Sequence, residues 1–179
     1  AYKLLGRKRE FTYWPTRSED ETIVQHTNYF IDKYIQPKSR RLHSRNEFNN
    51  YIQSQKFDAF IVGSDQVWRP CYSPHLPTYF LDFLKENKEV RKIAYAASFG
   101  VDNWEYTEEQ TLMAKELVSL FDAISVREDS GIELCREYLG IKAEPVLDPT
   151  MLLNKQDYLD LILAEKEPLS PGNLFTYIL

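Results

Sequence analysis

From Ala59 onward, four short apolar runs alternate with helical patterns, and each run breaks off in glycine or polar residues. The runs are Ala59 to Val62, Lys92 to Ser98, Ala123 to Val126 and Glu144 to Leu147. Short, largely uncharged runs of small and β-branched residues are the pattern of buried strands. Between them, Thr107 with Gln110 opens a helix whose apolar side carries Leu112, Leu117, Val118, Leu120 and Phe121. Arg127-Glu128-Asp129-Ser130 opens another that runs to Leu139, with Gly140 as its C′ residue. This alternation predicts an α/β fold: a Rossmann-like, mostly parallel sheet with helices on both faces.

The flanks are read in the same way. Residues 1–17 carry Gly6 and Pro15 and no clear period, so they form an irregular or partly helical lead-in. Ser18 and Glu21 form a capping box for a helix bearing Ile23, Phe30, Ile31 and Tyr34, which Pro37 stops. Ser44 and Glu47 open a second, with Phe48, Tyr51 and Ile52 on one side. Residues 64–78 hold Pro70, Pro74 and Pro77 and no period; a loop this long in a compact domain is often functional. Tyr79 to Leu84 reads as a short strand or helical turn, and 155–164 as a last helix.

Composition removes several classes of function. The 179 residues are 43% hydrophobic and 27% charged, ordinary for a soluble globular protein of about one domain. With a net charge of -5 and only two local basic clusters, Lys3 to Arg9 and Lys38 to Arg41, nucleic acid is not an expected partner. Cys71 and Cys135 show no metal-type spacing, and His26, His43 and His75 are scattered, so no metal site is assigned. Two cysteines in a chain this long suit a reducing cytoplasm, and there is no apolar run of membrane-spanning length. Aromatics reach 14%; such rings either fill cores or serve as platforms for sugars.

The strand ends carry the chemistry. Gly63-Ser64-Asp65-Gln66, Ser98-Phe99-Gly100, Arg127-Glu128 and Asp148-Pro149-Thr150 each follow a strand. In a parallel sheet these four ends lie on one edge, where open α/β sheets bind ligands. A carboxylate at such an edge can act as a general base toward a hydroxyl. Gly63 lets the backbone turn sharply or approach a ligand. Arg127 either holds an anion or pairs with an acid, Glu128 and Asp129 being at hand. Asp148 and Ser98 have equally ordinary readings, as a turn cap and as a hydroxyl satisfying local backbone. Trp68 either stacks on a sugar face or pins the long loop to the core. Neither a Walker loop nor a GxGxxG motif is present.

In order and spacing, four blocks resemble the polysaccharide pyruvyl transferase family: Phe57-Asp58-Ala59-Phe60-Ile61-Val62-Gly63-Ser64-Asp65-Gln66-Val67-Trp68, Lys92 to Gly100, Ile124 to Gly131 and Val146 to Thr150. The resemblance covers roughly residues 45 to 155. It implies one half of a GT-B-like two-domain enzyme. Residues 1–167 would be most of the N-terminal Rossmann-like half without its first strand, and 168–179 a linker and the first strand of a second half. It further implies transfer of a pyruvyl group from phosphoenolpyruvate to a glycan acceptor as a cyclic ketal, with no cofactor beyond that donor. Substrate contacts would fall to Gly63, Ser64, Gln66, Trp68, Ser98, Gly100, Arg127, Glu128, Asp148 and Thr150 around the catalytic Asp65. Asp65 would be the general base, with Ser64 and Gln66 orienting hydroxyls. A lipid-linked acceptor would bring such an enzyme to the membrane surface. The start at Ala1 and the apolar run Tyr177-Ile178-Leu179 lead to the expectation of a fragment, inactive alone, whose donor-binding cations lie elsewhere. The rival readings are a non-catalytic sugar- or nucleotide-binding module of the same fold and a receiver-like domain; the latter is disfavoured because the first strand end lacks an acidic pair.

Overall fold

The computed structural model describes residues 15–165. The expectations for the lead-in before Pro15 and for 168–179 lie outside the described residues. The chain divides into two compact units at Tyr51/Ile52.

The first unit holds helices α1 (Arg17–Ile23) and α2 (Gln25–Tyr34) and the start of α3 (Arg45–Ser54). The first capping box is Thr16 with Glu19, two residues earlier than the Ser18–Glu21 pair expected from sequence. Thr16 has the extended backbone a cap requires, and the Glu19 carboxylate reaches back to its N–H at 2.9 Å. Ser18 therefore lies inside the helix. Ser44 does cap α3, its hydroxyl accepting the Glu47 N–H at 3.2 Å.

The second unit contains β1 (Ala59–Val62), β2 (Arg91–Ala97), α4 (Glu108–Val118), β3 (Ala123–Val126), α5 (Asp129–Leu134), β4 (Glu144–Pro145) and α6 (Lys155–Glu165). The sheet order is β1-β2-β3-β4 and every pair is parallel. All four predicted strands exist, but β4 is two residues long rather than four. Pro145 has no N–H to continue the ladder, and the strand sits at the sheet edge. Tyr79 to Leu84 forms two 3-10 turns, Leu76–Phe80 and Asp82–Leu84. The helix after β3 ends in a π turn, Cys135–Leu139, with Gly140 left-handed behind it.

The core lies on one side of the sheet. Phe60, Val62, Ala94, Ile124 and Val126 join the apolar cluster, together with Leu117 and Val118 of α4 and Leu134 of α5. Ile61, which points the other way, is 67% exposed. Among the described residues of this unit, the expected covering of both faces is met on one only. A sheet wound in sequence order with right-handed crossovers carries its connecting segments on a single face.

β2 carries an irregularity that steers its end. Between Ala94 and Ala97 the register to β3 slips, and Ala96 takes a positive φ of 50°. The Ser125 hydroxyl fills the gap, accepting the Ala96 N–H and donating to the Ala94 carbonyl, both at 3.1 Å. A bulge of this kind re-aims the following residues, here Ser98 and Phe99.

Trp68 anchors the long loop. Its side chain is fully buried, stacked on Phe80 with ring centroids 5.0 Å apart and packed beside Phe99 and Phe121. Its Nε1–H donates to the Tyr79 carbonyl at 3.0 Å, and its own carbonyl accepts the Tyr106 hydroxyl at 2.5 Å. Burial pushes the Tyr106 phenol above its ordinary range, so it stays a donor. Trp68→Ala is expected to lower unfolding free energy by about 3–5 kcal/mol, the usual cost of emptying an aromatic core position, as measured by urea denaturation. A loss below about 1 kcal/mol would show that the loop does not depend on this ring.

Candidate functional site

β1 delivers the first group of the site. Gly63 has φ +145°, and a Cβ there would sit 1.9 Å from the Tyr95 carbonyl oxygen, so only glycine lets the chain leave β1 this close to β2. Ser64 follows and donates to Asp148 Oδ2 at 3.3 Å, across 84 residues of sequence. Arg127 Nη1 donates to the same oxygen at 3.1 Å, and Arg127 Nε donates to Glu128 Oε1 at 2.8 Å. Glu128 Oε1 also accepts the Ser98 hydroxyl at 2.9 Å, and Ser98 in turn accepts the Gly100 N–H at 2.9 Å. The four strand ends named from sequence are thus joined by one hydrogen-bonded chain, Ser64–Asp148–Arg127–Glu128–Ser98.

The charge within that chain is largely settled. Arg127 is paired with two carboxylates, and the hydrogen bond to Glu128 leads the effects that hold its guanidinium above the ordinary range. Of the two readings open for Arg127, pairing with acids is the one realised. One cation against two carboxylates leaves this cluster net negative, a poor place for a phosphate. Asp148 is both a turn cap and an ion-pair partner. Its Oδ1 accepts the Thr150 N–H at 3.0 Å and the Thr150 hydroxyl at 2.8 Å. Those bonds, Arg127 and Ser64 lower its pKa to about 2.

Asp65 stands apart from this chain. Its carboxylate accepts the Gln66 N–H at 2.7 Å and is exposed, while its carbonyl takes the N–H groups of Val67 and Ser98. Gln66 is held from two sides. Arg69 Nη1 donates to Gln66 Oε1 at 3.2 Å, and the amide fills the space where a Gly100 Cβ would lie, 2.0 Å from that oxygen. Arg69 is itself clamped by both Glu105 oxygens, at 3.0 and 3.1 Å. Asp65 and Gln66 form one wall of an open cleft of about 450 Å³, lined further by Val67, Tyr72, Ser73 and Tyr79.

Two expected ligand contacts are corrected by burial. Trp68 has no ring face left for a sugar; of its two readings, the core one holds. Ser98 is fully buried and positions Glu128 and Gly100 rather than facing a ligand. Gly63 and Gly100 act by making room. Sequence reasoning missed Ser125, Arg69 and Glu105. The spacing of Gln66 and Arg69 in a tight turn was a usable signal for one of them; Glu105 lies 36 residues from Arg69 and gave none.

Among the described residues, no group of three or more His, Cys, Asp or Glu side chains is placed to hold a metal ion, and no helix is long and apolar enough to cross a membrane. Against known families, residues 6–171 match the model for polysaccharide pyruvyl transferase. The chain belongs to that family. No curated protein and no solved structure matches it significantly. Membership accounts for the four strand-end blocks occurring together, since the match spans all of them.

Because folding depresses the Asp148 pKa from its usual 3.8, its stabilisation is complete above that value and drains away as pH falls toward about 2. Asp148→Asn is therefore expected to be less stable than the wild type near neutrality and to lose less on acidification. Thermal melts from pH 6 to pH 2 check this; parallel curves for the two proteins would refute the assignment.

Proposed function

We propose that the protein transfers a pyruvyl group from phosphoenolpyruvate to two hydroxyls of a sugar, forming a cyclic ketal. This unit would frame the acceptor side of the cleft of a GT-B-like, two-domain enzyme. In the reaction the methylene carbon of the enol phosphate is protonated. One sugar hydroxyl adds to the adjacent carbon, phosphate departs, and a second hydroxyl closes the ring. Of the two hydroxyl protons released, one balances the proton taken up by carbon and the other leaves with phosphate. Asp65 is the base that takes a hydroxyl proton, with Gln66 and Ser64 orienting the acceptor. The glycan acceptor and phosphoenolpyruvate are the only partners the reaction needs, with no cofactor. A lipid-linked acceptor would add contact with the cytoplasmic face of the membrane.

The observation that carries the acceptor assignment is the state of Arg127. A donor site for a phosphate and a carboxylate needs unpaired cations, and Arg127 is spent on Glu128 and Asp148. Asp65, by contrast, presents a carboxylate with an oxygen that takes no bond from the described residues, at the rim of an open cleft. The same balance argues against the nucleotide-binding reading, since a net-negative rim repels phosphates.

The test is incubation of the full-length protein with phosphoenolpyruvate and a glycan panel, following phosphate release and a product mass raised by pyruvate less water. Asp65→Asn is expected to cut turnover by roughly 10²–10⁴-fold, the span of general base catalysis, with the fold intact by circular dichroism. Unchanged turnover in a folded Asp65→Asn protein would remove Asp65 from the base role.

A further inference from the structure

We infer that the cleft beside Asp65 is a pyranose subsite in which the Tyr72 ring is the platform and Asp65 and Gln66 take the ring hydroxyls. The inference rests on the acceptor reading above and adds the residues that would recognise the sugar ring.

Among the described aromatics of this unit Tyr72 is the most exposed, ahead of Tyr158 at 43% and Phe57 at 42%. Trp68, Phe80 and Phe99 are buried, but Tyr72 is 64% exposed, on the lip of the cleft. Its ring is nonetheless contacted from one side. The Arg69 guanidinium lies 5.1 Å from the Tyr72 ring centroid, as in a cation–π contact. Arg69 in turn is clamped by Glu105, and that ion pair is only 21% and 30% exposed. An exposed ring backed on one side by a clamped guanidinium is a partly preorganised surface, and preorganisation lowers the cost of binding.

The rest of the cleft selects the class of ligand. The charge of Arg69 is neutralised by Glu105, and the hydrogen bond to that carboxylate leads the effects that raise its pKa. The lining residues supply no cation for a phosphate: they are one carboxylate, one amide, two tyrosines, a serine and a valine. Ser73 is buried and its hydroxyl is spent on the Val67 carbonyl at 2.7 Å, so it fixes the floor. What remains is an aromatic face, two apolar contacts from Val67 and Tyr79, and two side chains that bond hydroxyls. A pyranose has one C–H face and a belt of adjacent hydroxyls and matches both features. The volume, about 450 Å³, falls within the range of small-molecule sites.

The experiment is saturation-transfer NMR on the protein with methyl β-glucoside, methyl β-galactoside and methyl β-mannoside, without phosphoenolpyruvate. At least one glycoside is expected to receive saturation at its ring C–H protons. Tyr72→Ala should weaken that binding by roughly three- to tenfold, the size of one aromatic contact, and Tyr72→Phe should retain it. Tyr72 is exposed, so far-UV circular dichroism and the melting midpoint should be unchanged in both variants. Absence of binding by all three glycosides, wild-type affinity in Tyr72→Ala, or equal loss in Tyr72→Phe would each overturn the subsite. Transfer is read separately. Glycoside binding without phosphate release from phosphoenolpyruvate by the full-length protein would sink the transferase reading and leave the subsite standing. Phosphate release with an unchanged acceptor KM in Tyr72→Ala would do the reverse.

Discussion

The placement of Trp68 sets the geometry of everything at the carboxyl edge of the sheet. A turn that leaves β1 into a proline-rich loop has no regular ladder to hold it. The indole supplies the hold: it buries a large ring against Phe80 and uses every polar group it has. Its side-chain N–H meets Tyr79, its backbone N–H meets the Ser98 carbonyl, and its carbonyl meets Tyr106. The loop is thereby tied to the end of β2 and to the segment before α4. Asp65, three residues earlier, bonds Ser98 N–H through its own carbonyl. The cleft wall is thus tied by hydrogen bonds to the core beneath it, and a tethered wall is what a site needs when orientation of a ligand is the task.

A second constraint is electrostatic. Partly buried charges must be paired or pay for desolvation, and the strand ends bring together Arg127, Glu128 and Asp148. Pairing them satisfies each group and joins strand ends that are far apart in sequence. It also removes the cation from service as a ligand for anions. This trade explains why the most obvious anion-binding candidate at the sheet edge is better understood as the strut that holds Asp148 and Glu128 in place.

Much of this was legible in the chain. The strands are short β-branched runs that few other elements tolerate, and their parallel order followed from the helices between them. The convergence of Ser64, Ser98, Arg127, Glu128 and Asp148 followed from that order, because parallel strands put their carboxyl ends on one edge. What sequence could not decide was the direction of individual side chains. Trp68 next to a polar turn is compatible with facing a ligand or the core, and only the packing of Phe80 and Phe99 settles it. Nor could it foresee the slip at Ala96, since Ser125 reads as an ordinary strand residue until its hydroxyl is seen to fill the bulge. The first helix start moved by two residues because Thr16 and Ser18 are both good caps, and it is Thr16 whose backbone is extended and whose hydroxyl accepts the Glu19 N–H.

The two polar groups at the sheet edge divide the labour in a way that follows from how their hydrogen bonds are used. In the Ser64–Asp148–Arg127–Glu128–Ser98 chain, both Asp148 oxygens accept bonds from within the chain or from Thr150, so a ligand binding there would first have to break a bond already made. Such a net rigidifies a fold and offers a hydroxyl little beyond the Ser64 oxygen, whose own proton goes to Asp148. At the Asp65–Gln66 wall the opposite holds. Asp65 spends one oxygen on a neighbouring backbone N–H and presents its carboxylate to an open cleft, while Gln66 is steadied by Arg69 through its carbonyl oxygen. Its amide N–H₂ end is the one left toward donation. A site that binds a ligand and releases it needs unspent bonding capacity on a fixed frame. Here the frame is the first group and the capacity is in the second, and their shared attachment is the Ser98 backbone, which donates its N–H to the Asp65 carbonyl and accepts the Trp68 N–H through its own carbonyl.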